Sequence, residues 1–229
     1  MTIRFEQLTH IYKSPAAEPR KVLDIPEWRI AAGEQLLLRG VSGSGKTTLF
    51  NITAGLLRPT TGTVRFDDQS LYALPEAARD RFRARNIGYI FQTHYLLNTL
   101  TALENVVMPM AFGQAVPRGQ WRARARDLLG QVGLGDHVDY RPAQMSTGQR
   151  MRVAVARALV NQPRLVLADE PTASLDEQSA QVVMALIQQT CRETNATLLV
   201  ASHDPALQAR FAQVVHLHAG ELSRKEMVL

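Results

Sequence analysis

The stretch "QLLLRGVSGSGKTT", Gln35 to Thr48, decides how the rest of the chain is read. Leu36, Leu37 and Leu38 form an apolar run, and "GVSGSGKT" follows directly, fitting G-x-x-x-x-G-K-(S/T) over Gly40–Thr47. A helix should begin inside "GSGKTTLFNITAGL" and stop near Gly55. Strand, glycine-rich turn and helix, in that order, are the context a phosphate-binding loop requires. Gly40, Gly43 and Gly45 let the backbone curl so that several N–H groups face phosphate oxygens, and the positive end of the helix adds to that field. Lys46 can then bridge the β- and γ-phosphates, and Thr47 can offer its hydroxyl to Mg²⁺. Kinases, GTPases, helicases and transport ATPases share the motif, so it establishes a nucleotide and not a task.

Working outward, residues 1–38 are strand-rich: "TIRFEQL" alternates, "EWRI" is short, and the proline in "VLDIPEW" argues for an edge or a strand boundary. "RPTTGTVRF" turns into another strand after Gly55. Between about 75 and 160, "PEAARDRFRARN" and "GQWRARARDLLGQVGL" read as helices, and "IGYIFQ" as a short strand. From 163 onward, "RLVLAD" and "ATLLVASHD" are apolar strands around the helical "DEQSAQVVMALIQQTCRE", and "QVVHLHAGEL" gives a closing strand and turn. Apolar strands alternating with helices imply an α/β fold with a parallel sheet.

Composition sets the limits of that fold. With 229 residues and 45% hydrophobic content the chain is long enough for one sizeable core and a smaller lobe, and 21% charged residues argue against wholesale disorder. The net charge of +5 suits anionic partners without choosing among them. Arg79, Arg81, Arg83 and Arg85 read as a solvated helix face; without aromatic interleaving or a nucleic-acid motif, no nucleic-acid partner is expected. Cys191, the single cysteine, excludes an internal disulfide and reads as a half-buried, inert thiol. No secretory h-region and no long uninterrupted apolar run is visible, so a soluble, cytoplasmic chain is expected. Nine residues follow Gly220, so no appended C-terminal regulatory domain is expected.

Two more stretches carry chemistry. "LVLADEPTASLD" sets Asp169 and Glu170 at the carboxyl end of an apolar strand, where ligands bind in open α/β sheets. Asp169 is expected to complete the Mg²⁺ shell and Glu170 to orient or deprotonate an attacking water. His203, at the end of "LLVASH", sits beside them as a γ-phosphate sensor. His216 and His218 share one strand face, but no third ligand accompanies them to make a metal site.

Taken in order, these residues resemble the nucleotide-binding subunit of ATP-binding cassette (ABC) transporters over about residues 2 to 222. Tyr12 matches the aromatic that stacks on adenine. Gly40–Thr48, with Ser42, Ser44 and Thr48, match the Walker A loop, and Gln92 the Q-loop glutamine linking Mg²⁺ and the attacking water to the membrane partner. "MSTGQRMRVAVARAL" matches the signature and its helix, with Ser146, Thr147, Gly148 and Gln149 facing ATP held by a second chain. "LVLADE" matches the Walker B strand, "SLD" with Asp176 the D-loop, and His203 the switch histidine. The resemblance implies a P-loop NTPase fold with a mainly parallel core sheet, an N-terminal antiparallel β-subdomain and an inserted α-helical subdomain. Approximately 1–72 and 161–229 would form the core with the β-subdomain, and 73–160 the Q-loop and helical signature subdomain.

"FQTHYLLNTLTALENVVMPM" is similar to the branch of macrolide exporters, lipoprotein-releasing complexes and a cell-division ATPase, departing from it at Asn98 and His94. That branch implies an ATPase with ATP and Mg²⁺ as cofactors, dimerising head to tail at the inner face of the cell membrane. It also implies integral membrane permease subunits and leaves room for a periplasmic partner. A soluble ABC ATPase and a non-hydrolysing nucleotide-gated module are the alternatives. The second glycine expected in the signature is Thr147 here; it is tolerable provided its backbone does not need a positive φ.

Overall fold

The computed structural model describes residues 1–14, 17–173 and 175–225. Strands β1 (Ile3–Ser14) and β2 (Ala17–Ile30) pair antiparallel, and β4 (Thr61–Phe66) and β5 (Gln69–Ser70) complete a four-stranded sheet in the order β2-β1-β4-β5. Strand β2 is continuous where separate pieces were expected. Its Pro26 is tolerated because β2 is an edge strand, where one fewer N–H costs no ladder bond.

The second sheet contains β3 (Gln35–Arg39), β6 (Ile87–Ile90), β7 (Leu165–Asp169), β8 (Thr197–Ala201), β9 (Gln213–His218) and β10 (Glu221–Lys225), ordered β10-β9-β3-β8-β7-β6. All its pairings are parallel except the β9–β10 hairpin. The pleat sorts the apolar runs by turns. Leu36, Leu38, Leu165, Leu167, Leu199 and Ala201 join the core that also holds Phe5, Leu49 and Phe50. Leu37, Val166, Ala168, Leu198 and Val200 face the opposite core.

Helices α1 (Lys46–Thr53), α2 (Glu76–Asn86), α3 (Ala102–Gly113), α4 (Trp121–Gln131), α5 (Thr147–Leu159) and α6 (Glu177–Glu193) occupy the connections. Residues of α3, α4 and α5 bury a third core around Val106, Leu129 and Val153. Strand β6 lies within the stretch 73–160 yet pairs with β7 in the central sheet. Cys191, on α6, is fully buried in the second core, and burial pushes its thiol up to about 12, which keeps it protonated.

The expectation of one solvated arginine face is corrected. Residues two apart on a helix project about 200° from each other, so the four arginines fall on two faces. Arg81 and Arg85 are exposed, whereas Arg79 and Arg83 are half-buried, Arg79 lying 6.0 Å from the Tyr72 ring centre. Among the described residues no helix is long and apolar enough to cross a membrane. His216 and His218 join no group of three His, Cys, Asp or Glu able to hold a metal ion among those residues.

Candidate functional site

Strand β3 delivers the chain into the turn 40–45, and Gly45 caps α1 with a φ of 106° that a side chain would strain. Its Cα hydrogen faces the Val22 carbonyl so closely that a Cβ there would sit 2.9 Å from the oxygen. Lys46 is buried, and its ammonium donates to the carbonyls of Gly40 at 2.7 Å and Val41 at 3.3 Å. Thr47 Oγ1 donates to Asp169 Oδ2 at 2.7 Å, joining α1 to the end of β7. Burial raises the Asp169 pKa, reinforced by the neighbouring Glu170 and opposed by the Thr47 hydrogen bond and Lys46.

Glu170 follows with a left-handed φ of 49°, a conformation costing an L-residue about 1–2 kcal/mol. Its N–H bonds to the Ala201 carbonyl at 2.8 Å, and only 8% of the residue is exposed. The two carboxylate oxygens are held separately: Oε1 lies 2.8 Å from His203 Nδ1, and Oε2 accepts from Ser202 Oγ at 3.0 Å. Lys46 Nζ is 4.0 Å from Oε1. Adjacent strand ends of β7 and β8, in parallel register, thus bring the acidic pair and the histidine together.

Lys46, Thr47, Asp169, Glu170 and His203 line one groove of about 730 Å³ with Tyr12, Ser42, Gly43, Ser44, Gly45, Thr48 and Gln92. Tyr12 is 47% exposed, its hydroxyl 3.2 Å from Thr48 Oγ1 and its ring edge-on to His10. Gly40 lies at the base of the turn, against Ser44 and the Leu217 carbonyl, and does not line the groove. Arg20 and Ser202 were missed by sequence reading. Arg20, register partner of Tyr12, reaches the Gly43 carbonyl at 3.4 Å, a neighbourhood made by strand pairing and invisible locally. Ser202 had a signal: a hydroxyl directly before His203 at a strand end.

The signature residues stand apart; none of Ser146–Gln149 lines the groove. Ser146 caps α5, its Oγ accepting from the Gln149 N–H at 3.2 Å while its own N–H donates to Gln149 Oε1 at 2.8 Å. Thr147 is the first helical residue, with no positive φ, and its Oγ1 accepts from Arg150 at 3.0 Å. The condition set for tolerating threonine is met. Asp176 caps α6 through the Ser179 N–H at 2.9 Å, and the Ser179 hydroxyl, helped by that N–H, holds its carboxyl below the usual range. Ser174 of "SLD" lies outside the described residues.

A parallel sheet whose strand ends gather a phosphate loop, two carboxylates and a histidine defines a P-loop nucleotide hydrolase. The ABC transporter family model matches residues 23–173, and the chain belongs to that family as an ATP-binding, ATP-hydrolysing cassette. It is similar to the lipoprotein-releasing system ATP-binding protein LolD of Chromohalobacter salexigens, 43% identical over 222 residues, 96% of this chain and 92% of that protein. The macrolide export ATP-binding/permease protein MacB of Salmonella typhi is 42% identical over 194 residues, 85% of this chain but 30% of MacB. Among solved structures, the dimeric post-hydrolysis state of the ATP-binding cassette MJ0796 bound to ADP and Pi superposes with a TM-score of 0.91, at 33% identity over 98% of both chains.

Proposed function

We propose that this cassette is the subunit that drives a separate membrane permease of the lipoprotein-releasing or macrolide-exporting kind, working as a head-to-tail pair at the inner face of the cell membrane. The observation that carries the hydrolytic part is Glu170: a buried carboxylate with each oxygen separately held, facing the groove that contains the phosphate loop. In this reading the loop N–H groups and Lys46 bind the phosphates, and Tyr12 stacks on adenine. Glu170 orients the water and takes its proton as oxygen attacks the γ-phosphorus and the bond to the bridging oxygen breaks. His203 keeps Glu170 aimed and senses the γ-phosphate.

Thr47 Oγ1, Asp169 and the Gln92 amide offer hard oxygen donors along one groove, a set that suits Mg²⁺, which prefers one or two carboxylates with substrate phosphates and water. When bound, Mg²⁺ neutralises phosphate charge. The helical segment within 73–160 carries Ser146–Gln149 to the nucleotide of a second copy, and Asp176 borders that interface. A periplasmic partner remains compatible with this reading.

Glu170→Gln tests it. The variant should bind ATP, accumulate as a dimer in size-exclusion chromatography, and lose at least about 10²-fold in turnover, the lower range for a general base. Undiminished turnover would remove Glu170 from the chemistry.

A further inference from the structure

The loop between β6 and α3 holds two consecutive non-glycine residues in the left-handed region, His94 at φ 61° and Tyr95 at φ 47°. L-residues enter that region rarely and singly, and a bulky pair persists only where its surroundings over-determine it. Arg157, near the end of α5, does so. Its Nη1 donates to the Tyr95 carbonyl at 2.6 Å and its Nη2 to the His94 carbonyl at 2.5 Å. One planar guanidinium thus spans two successive carbonyls, which the single ammonium of a lysine does not reproduce. Arg157 is half-buried, and among the described residues no carboxylate stands within ion-pair distance of it. Its charge is answered by the loop.

The other end of this loop is fixed by an aromatic stack. The Phe91 ring stacks on Tyr89 with centres 3.8 Å apart, and the Tyr89 hydroxyl donates to Asn51 Oδ1 of α1 at 3.2 Å. Tyr95 closes edge-on against Phe91 at 5.1 Å. Gln92 therefore lies between two anchors: an aromatic stack reaching the phosphate-loop helix, and a guanidinium clamp reaching the helix that starts at Ser146.

We propose that Arg157 is a positioning residue for Gln92: by holding the left-handed His94–Tyr95 pair it sets where the Gln92 amide lies in the groove, and couples that placement to α5. The inference rests on the reading of Gln92 given above. It goes further in making the glutamine's position depend on a residue that does not line the groove.

A double-mutant cycle on the purified full chain tests it, measuring kcat, KM for ATP and melting temperature for Arg157→Lys, Gln92→Ala and the pair. Arg157→Lys should lower kcat about tenfold, in keeping with the cost of misplacing a group by a fraction of an ångström, with KM within about twofold. The pair should be no slower than Gln92→Ala alone, because a misplaced glutamine and an absent one are equivalent. Full activity in Gln92→Ala overturns the role of Gln92 and this proposal with it. Impaired Gln92→Ala, with Arg157→Lys either active as wild type or multiplying its own factor into the pair, leaves Gln92 standing and overturns only the clamp. Tyr95→Pro repeats the cycle from the loop side if the lysine variant does not fold, since a proline φ near −65° forbids the left-handed turn. Its expected signature is the same loss of kcat and the same non-additivity, and full activity overturns the clamp.

Discussion

Tyr12 is a residue at which the proposed contact with adenine can be tested apart from the fold. Nearly half of it is exposed, and its contacts are a hydroxyl at Thr48 and an edge-on histidine. Removing an exposed ring leaves no cavity, so Tyr12→Ala should melt within about a degree of wild type. Base–aromatic stacking contributes roughly 1–3 kcal/mol, so the same change should raise KM for ATP about tenfold while kcat stays near wild type. Tyr12→Phe should behave as wild type if the ring does the binding. A large KM increase in the phenylalanine variant would assign the work to the hydroxyl instead.

At the scale of elements, α5 allows what the fold needs to be tested apart from what the proposed reaction needs. A Cβ on Gly148 would meet Leu175 Cδ2 at 3.6 Å and Ser179 Oγ at 3.8 Å, ordinary contacts, and the residue has no positive φ. Nothing among the described residues requires glycine there. Gly148→Ala should therefore keep or raise the melting temperature, since alanine is the better helix former by up to about 1 kcal/mol. ATP binding by the monomer should persist, yet turnover should fall at least about tenfold as the methyl crowds a partner's phosphate. Wild-type turnover would take the signature out of the active site. Much of the frame was legible beforehand, because periodicity and the order of strand, turn and helix are local: the helix after the phosphate loop, the helix behind the signature, the buried runs of β3, β7 and β8. Helix α3 was not read from pattern, since Pro109 in its interior signals a break; the Thr101–Glu104 capping box and its place in the third core hold it. Arg20 beside the phosphate loop and Arg157 on the His94–Tyr95 carbonyls escaped for a different reason. Both contacts join residues brought close only by strand pairing or helix packing.

For the whole molecule, Ser146–Gln149 stand apart from the groove, and in the proposed reading one chain then holds two halves of different sites. Head-to-tail pairing would complete both sites at once, since a two-fold interface presents each half to its complement. Two defects placed in different halves should then complement. Lys46→Ala removes the buried ammonium from a chain's own groove, and Ser146→Arg blocks the face it offers its partner. Each variant alone should be inactive, because every site in its dimers carries the defect. In an equal mixture half the dimers are mixed, and each mixed dimer has one site joining the sound groove of the Ser146→Arg chain to the sound signature of the Lys46→Ala chain. Activity should return to on the order of a quarter of wild type if the sites turn over independently. It should vary with the mixing ratio as the product of the two fractions. Because the groove alone contains Lys46, Asp169, Glu170 and His203, a self-sufficient monomer predicts a different result: Ser146→Arg active by itself, and no gain on mixing.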